Sequence, residues 1–165
     1  MAADDLAPLR DWLRAWQTCV RAVDFAGGRT LCAPDIVAFG TVAPFVQGLD
    51  VVEKEQWRRV WPVIRDFTVD VDNARGAVAG DRGWIAATWD SLGTLPGGGT
   101  FPRPGRCTLA FERRHGRWLA THTHFSLVPS PVGLVPSPVG LVPSPVGLVP
   151  SPVGLAPAPG ATPTR

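Results

Sequence analysis

The chain has 165 residues, 45% of them apolar, enough for one domain with a real core and room for an appendage. Its net charge of +2 comes almost wholly from arginine, Lys54 being the only lysine, and the pairs Arg58–Arg59 and Arg113–Arg114 stand isolated with acids nearby. That distribution excludes the basic stripe a nucleic-acid partner requires, and no run of about 18 uninterrupted apolar residues offers a membrane span. Cys19, Cys32 and Cys107 are odd in number and form no CxxC, so neither a zinc knuckle nor a redox pair is indicated. Asp4 and Asp5 stand where a signal peptide would be basic and then apolar, so a cytoplasmic protein is expected.

The first element is a helix. Leu6, Leu9, Leu13, Trp16, Val20 and Val23 recur at steps of three and four and give one apolar face. Asp4 or Asp5 is the expected cap, Pro8 suits the first turn, and Gly27–Gly28 is the expected terminator. A helical turn near residues 30–33, a strand over 36–40 and a turn with a short returning strand over 41–48 follow. Asp50 with Glu53 resembles a capping box at the start of a further helix. On it Val52, Gln56 and Val60 form one row, Trp57, Trp61 and Ile64 the next, and Pro62 limits the end. From Asp66 onward the period changes to strands over 67–71, 74–79, 84–95, 106–113 and 117–126, with turns at 81–83 and 115–116 and a Gly/Pro loop at 96–105. Helices first and antiparallel strands after predict an α+β domain over residues 1–126, a curved antiparallel sheet with the helices in its concave face.

Residues 127–165 are of another kind. LVPSPVG occurs four times without error from 127 to 154, and a degenerate LAPAPGA follows. Two prolines and a glycine in each heptad exclude a coiled coil, and the Gly-X-Y period of collagen is absent. A disordered or polyproline-II tail, outside the fold, is the expectation.

Three segments carry a resemblance: CAPDIVAFGT (32–41), VQGLD with EKEQWRRVWP (46–50 and 53–62), and LAFERRHGRWLATHTHFS (109–126). The last, with G-x-W followed by H-x-H-x-S, is the most specific. Together they resemble the SnoaL-like branch of the NTF2-like superfamily over about residues 4–126. The resemblance implies a cone of bent sheet and helices around a pocket, often as a homodimer. It implies no single activity, because isomerases, cyclases, dehydratases, hydrolases and non-catalytic binders share the fold.

Alternation along the last strand puts Trp118, Ala120, His122, His124 and Ser126 on one face. His122 and His124, two apart, suit contact with a ligand, acid–base work, a metal with a third ligand from Asp90 or Glu112, or plain structural hydrogen bonding. Asp90, sharing a parity with Thr88, reads either as a pocket acid or as a surface acid near a strand end. Gln56 is a candidate pocket amide or a solvated helix residue; Trp16, Trp57 and Trp61 are candidate pocket walls or plain core. The expected ligand contacts are therefore Trp16, Gln56, Trp61, Thr88, Asp90, His122, His124 and Ser126, with His122, His124 and Asp90 as candidate catalytic groups. No metal or cofactor signature is present: the glycines of 95–105 do not open a helix, and no GxSxG or HExxH occurs.

Among relatives of this fold the ketosteroid isomerases need a carboxylate after the first strand and a tyrosine. The aligned position falls on or near Gly40, Asp35 starts that strand rather than ending it, and the chain has no tyrosine. That chemistry is not expected. Two functions remain: a small-molecule binder or enzyme using the cone pocket, and a non-catalytic dimerisation or accessory module whose cone is filled by tryptophan. A cavity of roughly 300 Å3 or more with convergent polar groups favours the first, and a filled cone the second.

Overall fold

A computed structural model describes residues 5–129. Asp4, proposed as a cap, and the repeats from residue 130 onward lie outside the described residues.

Helix α1 (Ala7–Ala22) buries Leu9, Trp12, Leu13, Trp16 and Val20, the face that the three-and-four spacing predicts. Its cap differs from expectation. Leu6 holds the N-cap position without a side-chain hydrogen bond, and the helix ends at Val23 in the left-handed conformation (φ 54°) rather than at the glycines. Gly27 and Gly28 instead lie inside a second short helix, α2 (Phe25–Thr30), whose first turn is capped by the Asp24 carboxylate accepting from Gly27 N–H at 2.9 Å. Gly28 is there for proximity: a Cβ would come within 2.7 Å of the Trp61 ring.

Strand β1 (Cys32–Phe39) precedes a two-residue β2 (Val46–Gln47). The next helix is composite: α3 (Leu49–Val52), a π-helical turn (Glu53–Trp57), α4 (Arg58–Val60) and a closing 3-10 turn through Pro62 (Trp61–Val63). The wider turn brings both Gln56 and Trp57 to the buried side, with Val52 and Val60. Asp50 and Glu53 do not form a capping box, since Gly48 is the N-cap and no side chain caps it. Both carboxylates pair with Arg29 instead, at 2.7 and 2.9 Å.

Six further strands follow: β3 (Ile64–Val69), β4 (Arg75–Ala79), β5 (Arg82–Thr94), β6 (Thr100–Pro102), β7 (Gly105–Arg114) and β8 (Arg117–Leu127). Strand β6 lies within the predicted Gly/Pro loop, too short and proline-bounded to show a period. The sheet order is β2-β1-β8-β7-β5-β3, with β4 and β6 also on β5. Every pairing is antiparallel except β1 with β8, so the sheet is mixed rather than purely antiparallel. Long strand β5 holds β3 and β4 in succession along one edge and β6 and β7 along the other.

The core lies between the helices and the inner face of this sheet. Leu9, Leu13, Ile36, Val52, Ile85, Leu109 and Phe111 are fully buried there, each contributing about 1.5–3 kcal/mol by leaving water. One irregularity decides the later argument. Phe111 pairs with Ala120 and Ala110 with His122, so Thr121 is an extra residue, a β-bulge in β8. Beyond it the faces are transposed: Ala120 is buried inside, as Thr123 is, whereas His124 is exposed. The predicted common face for Ala120, His122, His124 and Ser126 is therefore corrected. Strict alternation holds on each side of Thr121 but not across it.

Candidate functional site

Tryptophans close the concave side of the domain. Trp16 stacks on Trp12 (centroids 5.2 Å apart) and meets Trp57 and Trp61 edge-on, both at 5.3 Å. Trp57 and Trp61 stack on each other at 5.0 Å. Phe125 of β8 comes to 6.1 Å from Trp16, because the bulge turns Thr123 and Phe125 inward. These rings leave a cavity of about 50 Å3. Its wall also includes Thr41, Gln56, Arg103 and Thr123, the polar members of an otherwise apolar lining.

Gln56 is fixed rather than free. Its Oε1 accepts from Ala43 N–H at 3.1 Å and so holds the loop after β1. Gly40 faces it closely: a Cβ at residue 40 would come within 2.0 Å of the Gln56 amide carbon. Any side chain at residue 40 would therefore collide with Gln56. Asp35 points elsewhere, pairing with Arg114 at 2.9 Å, and that hydrogen bond holds its carboxyl below the usual aspartate range.

Arg103 enters from the segment between β6 and β7. Its backbone N–H donates to Ser91 O (2.8 Å) and its Nη2 to Thr41 Oγ1 (3.1 Å). Its Nη1 is buried without a partner, as are Ser91 Oγ and Trp89 Nε1. Burial lowers the guanidinium's pKa from its ordinary value. The side chain lies across Gly93, where a Cβ would come within 2.8 Å of Arg103 Cδ. No signal in the sequence marked Arg103, Trp89 or Ser91. Arg103 sits in the Gly/Pro loop, and Ser91 was masked by its neighbour Asp90.

Of the expected contacts, Trp16, Gln56 and Trp61 line this cavity. Thr88, Asp90, His122, His124 and Ser126 do not. Thr88 and Asp90 are exposed, since Trp89 and Ser91 take the inward positions of β5. His122 Nδ1 lies 3.1 Å from Val37 O, and both His122 and His124 stand edge-on to Phe39, at 5.5 and 5.3 Å. Ser126 Oγ accepts from Arg106 Nε at 3.2 Å. Thr88, His124 and Ser126 do meet, but in an open trough of about 440 Å3 on the outer face, together with Asp70, Arg75 and Arg106. Asp90 and His122 line neither hollow.

Among the described residues no cysteine lines the cavity wall. Cys32 and Cys107 are buried thiols, Cys107 pushed up to about 12 by burial and Cys32 raised further by the same cause, so neither forms a thiolate at neutral pH. Among the described residues no three His, Cys, Asp or Glu side chains cluster as a metal site would require, and no helix is long and apolar enough to cross a membrane.

Comparison with known proteins agrees with this architecture. No curated protein matches the chain in sequence. Among solved structures, a dehydratase candidate of the NTF2-like family from Streptomyces avermitilis superposes with a TM-score of 0.67 at 16% identity, covering 79% of this chain and 100% of that one. A ketosteroid isomerase-like protein from Erwinia carotovora atroseptica gives 0.65 at 14% identity, covering 78% and 99%. The association domain of CaMKII from C. elegans gives 0.56 at 19% identity, covering 74% and 97%. At such identities the likeness is one of fold. Residues 9–131 match the SnoaL-like domain family, and the chain therefore belongs to that family, with the NTF2-like fold.

Proposed function

We propose that the domain binds a small, largely apolar molecule in its inner cavity without transforming it. The observation that carries this reading is the composition of the wall: aromatic rings with Thr41, Gln56, Arg103 and Thr123, and, among the described residues, no Asp, Glu, His or Cys to move a proton or attack a carbon. General acid–base catalysis requires such a group within reach of the reacting atom. The two halves of the size criterion separate here. The volume, about 50 Å3, falls well below that of a drug-sized site, yet polar groups do gather at the cavity. The ligand is accordingly a molecule of a few heavy atoms.

A panel of small molecules screened by thermal shift tests the proposal, since a ligand specific to the folded state raises stability by mass action. Binders are expected, and Thr123→Leu, which fills the cavity from β8, should abolish their effect. His122→Ala and His124→Ala should leave it intact. Loss of binding in the histidine variants, with Thr123→Leu unaffected, would move the site to the outer face.

A second reading, a homodimerising association module, is supported by a different observation. The outer trough is floored by small side chains, Ala86, Thr88 and Thr108, and Trp84 on the same face of β5 is 47% exposed. An open face of small side chains beside an exposed indole suits packing against another surface. The two readings use opposite faces of one sheet and are compatible.

A further inference from the structure

Arg103 is the odd member of the inner wall. Every other polar side chain there is neutral, and a cation withdrawn from water costs free energy unless a counter-charge faces it. Among the described residues no carboxylate pairs with Arg103, whereas three arginines of the strands do find acids: Arg82 pairs with Glu112, Arg113 with Asp81, and Arg114 with Asp35 and Glu112. Thr41 Oγ1 accepts from its Nη2, and the neighbouring wall adds the Trp89 indole, a donor only. Trp89 and Ser91 stand two residues apart on the inward side of β5, and the Arg103 main chain is hydrogen-bonded to Ser91. Arg103 Nη1, Trp89 Nε1 and Ser91 Oγ are all buried without partners. In a native interior such orphans are few, and two of these, on Arg103 and Trp89, belong to side chains of the cavity wall. An indole N–H and a guanidinium can only donate, so the complement is an anion or a strong acceptor, not a cation.

From this arrangement we infer that the inner cavity takes a small monocarboxylate, its head held by Arg103 with Trp89 as a further donor and its apolar body against the tryptophans. A carboxylate matches a single arginine in charge and in planar geometry, whereas a phosphate dianion would leave charge unbalanced in so small an apolar space. The inference rests on the binding reading above and narrows it to one chemical class. Arg103 is here a ligand-binding residue.

Propionate and its neutral isostere propionamide separate the inference from the reading beneath it. Both are titrated at pH 7 and constant ionic strength into the full chain, with tryptophan fluorescence as the signal, since Trp16, Trp57, Trp61 and Trp89 wall the cavity. Propionate is expected to bind about tenfold or more tightly than propionamide, the increment of a charge-assisted hydrogen bond. Arg103→Gln should bring the two to parity. It should also leave the ligand-free domain about as stable, because a half-buried guanidinium without a counter-charge has been removed. Equal binding of acid and amide by the wild type would overturn the carboxylate inference while leaving the cavity a binding site. An unchanged preference in a folded Arg103→Gln would overturn the role of Arg103. If neither molecule binds, both the inference and the binding reading fall.

Discussion

The two faces of this one sheet are built by different rules. The inner face is a packed wall: Ile85, Leu109 and Phe111 are fully buried, with Phe111 edge-on to Trp12 of α1, and the remaining hollow is lined largely by rings. The outer face carries the histidines, Asp90, Thr88 and Ser126, with Trp84 standing in solvent. Titratable side chains that invite a catalytic interpretation all lie on the second face. The groups with unmet hydrogen-bonding capacity lie on the first. In this domain the chemically suggestive residue types and the groups with unmet hydrogen-bonding capacity are therefore not the same residues, and the proposed ligand follows the latter.

The largest expected effect tests the asymmetry directly. Trp16 touches Trp12, Trp57, Trp61 and Phe125, so Trp16→Ala empties the centre of the aromatic cluster. It should cost about 3–5 kcal/mol in denaturant unfolding, the range for a buried aromatic truncated in a close-packed core. Trp84→Ala, on the outer face, should cost less than about 1 kcal/mol in the monomer. If the outer face is an association surface, however, the same substitution should shift the dimer–monomer equilibrium in sedimentation toward monomer. A large loss of monomer stability from Trp84→Ala would break the comparison. A pure monomer at all concentrations would remove the association reading.

A smaller effect is expected at the edge of the inner face, where ion pairs reinforce the packing of Phe25 and Gly28 of α2 on Trp61. Arg29 bridges Asp50 and Glu53, and Glu53 also accepts from Arg58 Nε at 2.9 Å. The hydrogen bond from Arg29, with Arg58 second, lowers the Glu53 pKa below its ordinary value. A carboxylate with a depressed folded-state pKa contributes stability above its unfolded pKa, about 4.3, and loses that contribution as pH falls through the folded value. Glu53→Gln should thus destabilise the domain by about 1 kcal/mol or less at pH 7, and the gap between variant and wild type should close as pH drops below about 4. A gap that persists at pH 2 would mean that Glu53 acts through packing.

Much of this architecture was legible in the sequence because apolar periodicity is a local signal. The face of α1, the Val52–Gln56–Val60 row and five of the later strands follow from spacing alone. The misread parts share a cause: each depends on a contact distant in the chain. Gly28 looks like a helix terminator but is small because Trp61 presses on it. Asp50 and Glu53 look like a capping box but answer to Arg29. Thr121 adds one residue to β8 relative to β7, and no residue type announces a bulge, so the alternation that sorted His122 and His124 was carried one residue too far. The same limit hid Arg103, whose meaning lies in the absence of an acid opposite it.

The smallest effect is expected where the chain leaves the sheet. Leu127 pairs with Gly105 at the end of β8, and Val128 N–H donates to Pro104 O at 3.0 Å, so the ladder runs slightly beyond the predicted end at residue 126. Past that point the sequence changes character: eleven of the 37 residues from Pro129 to Arg165 are proline and bring no backbone donor. Packing such a segment on the domain would leave its carbonyls to be paired by others and would cost roughly 1–2 kcal/mol of backbone entropy for each ordered residue. Val and Leu recur in the repeats without the alternation that would give a strand one buried face. A chain ending at Val128 should therefore keep the circular dichroism, the melting temperature and the propionate affinity of the full chain. A fall of more than a few degrees, or resistance of the repeats to protease in the full chain, would mean that they pack on the domain. A change in affinity alone, with melting unchanged, would instead point to the repeats covering the cavity.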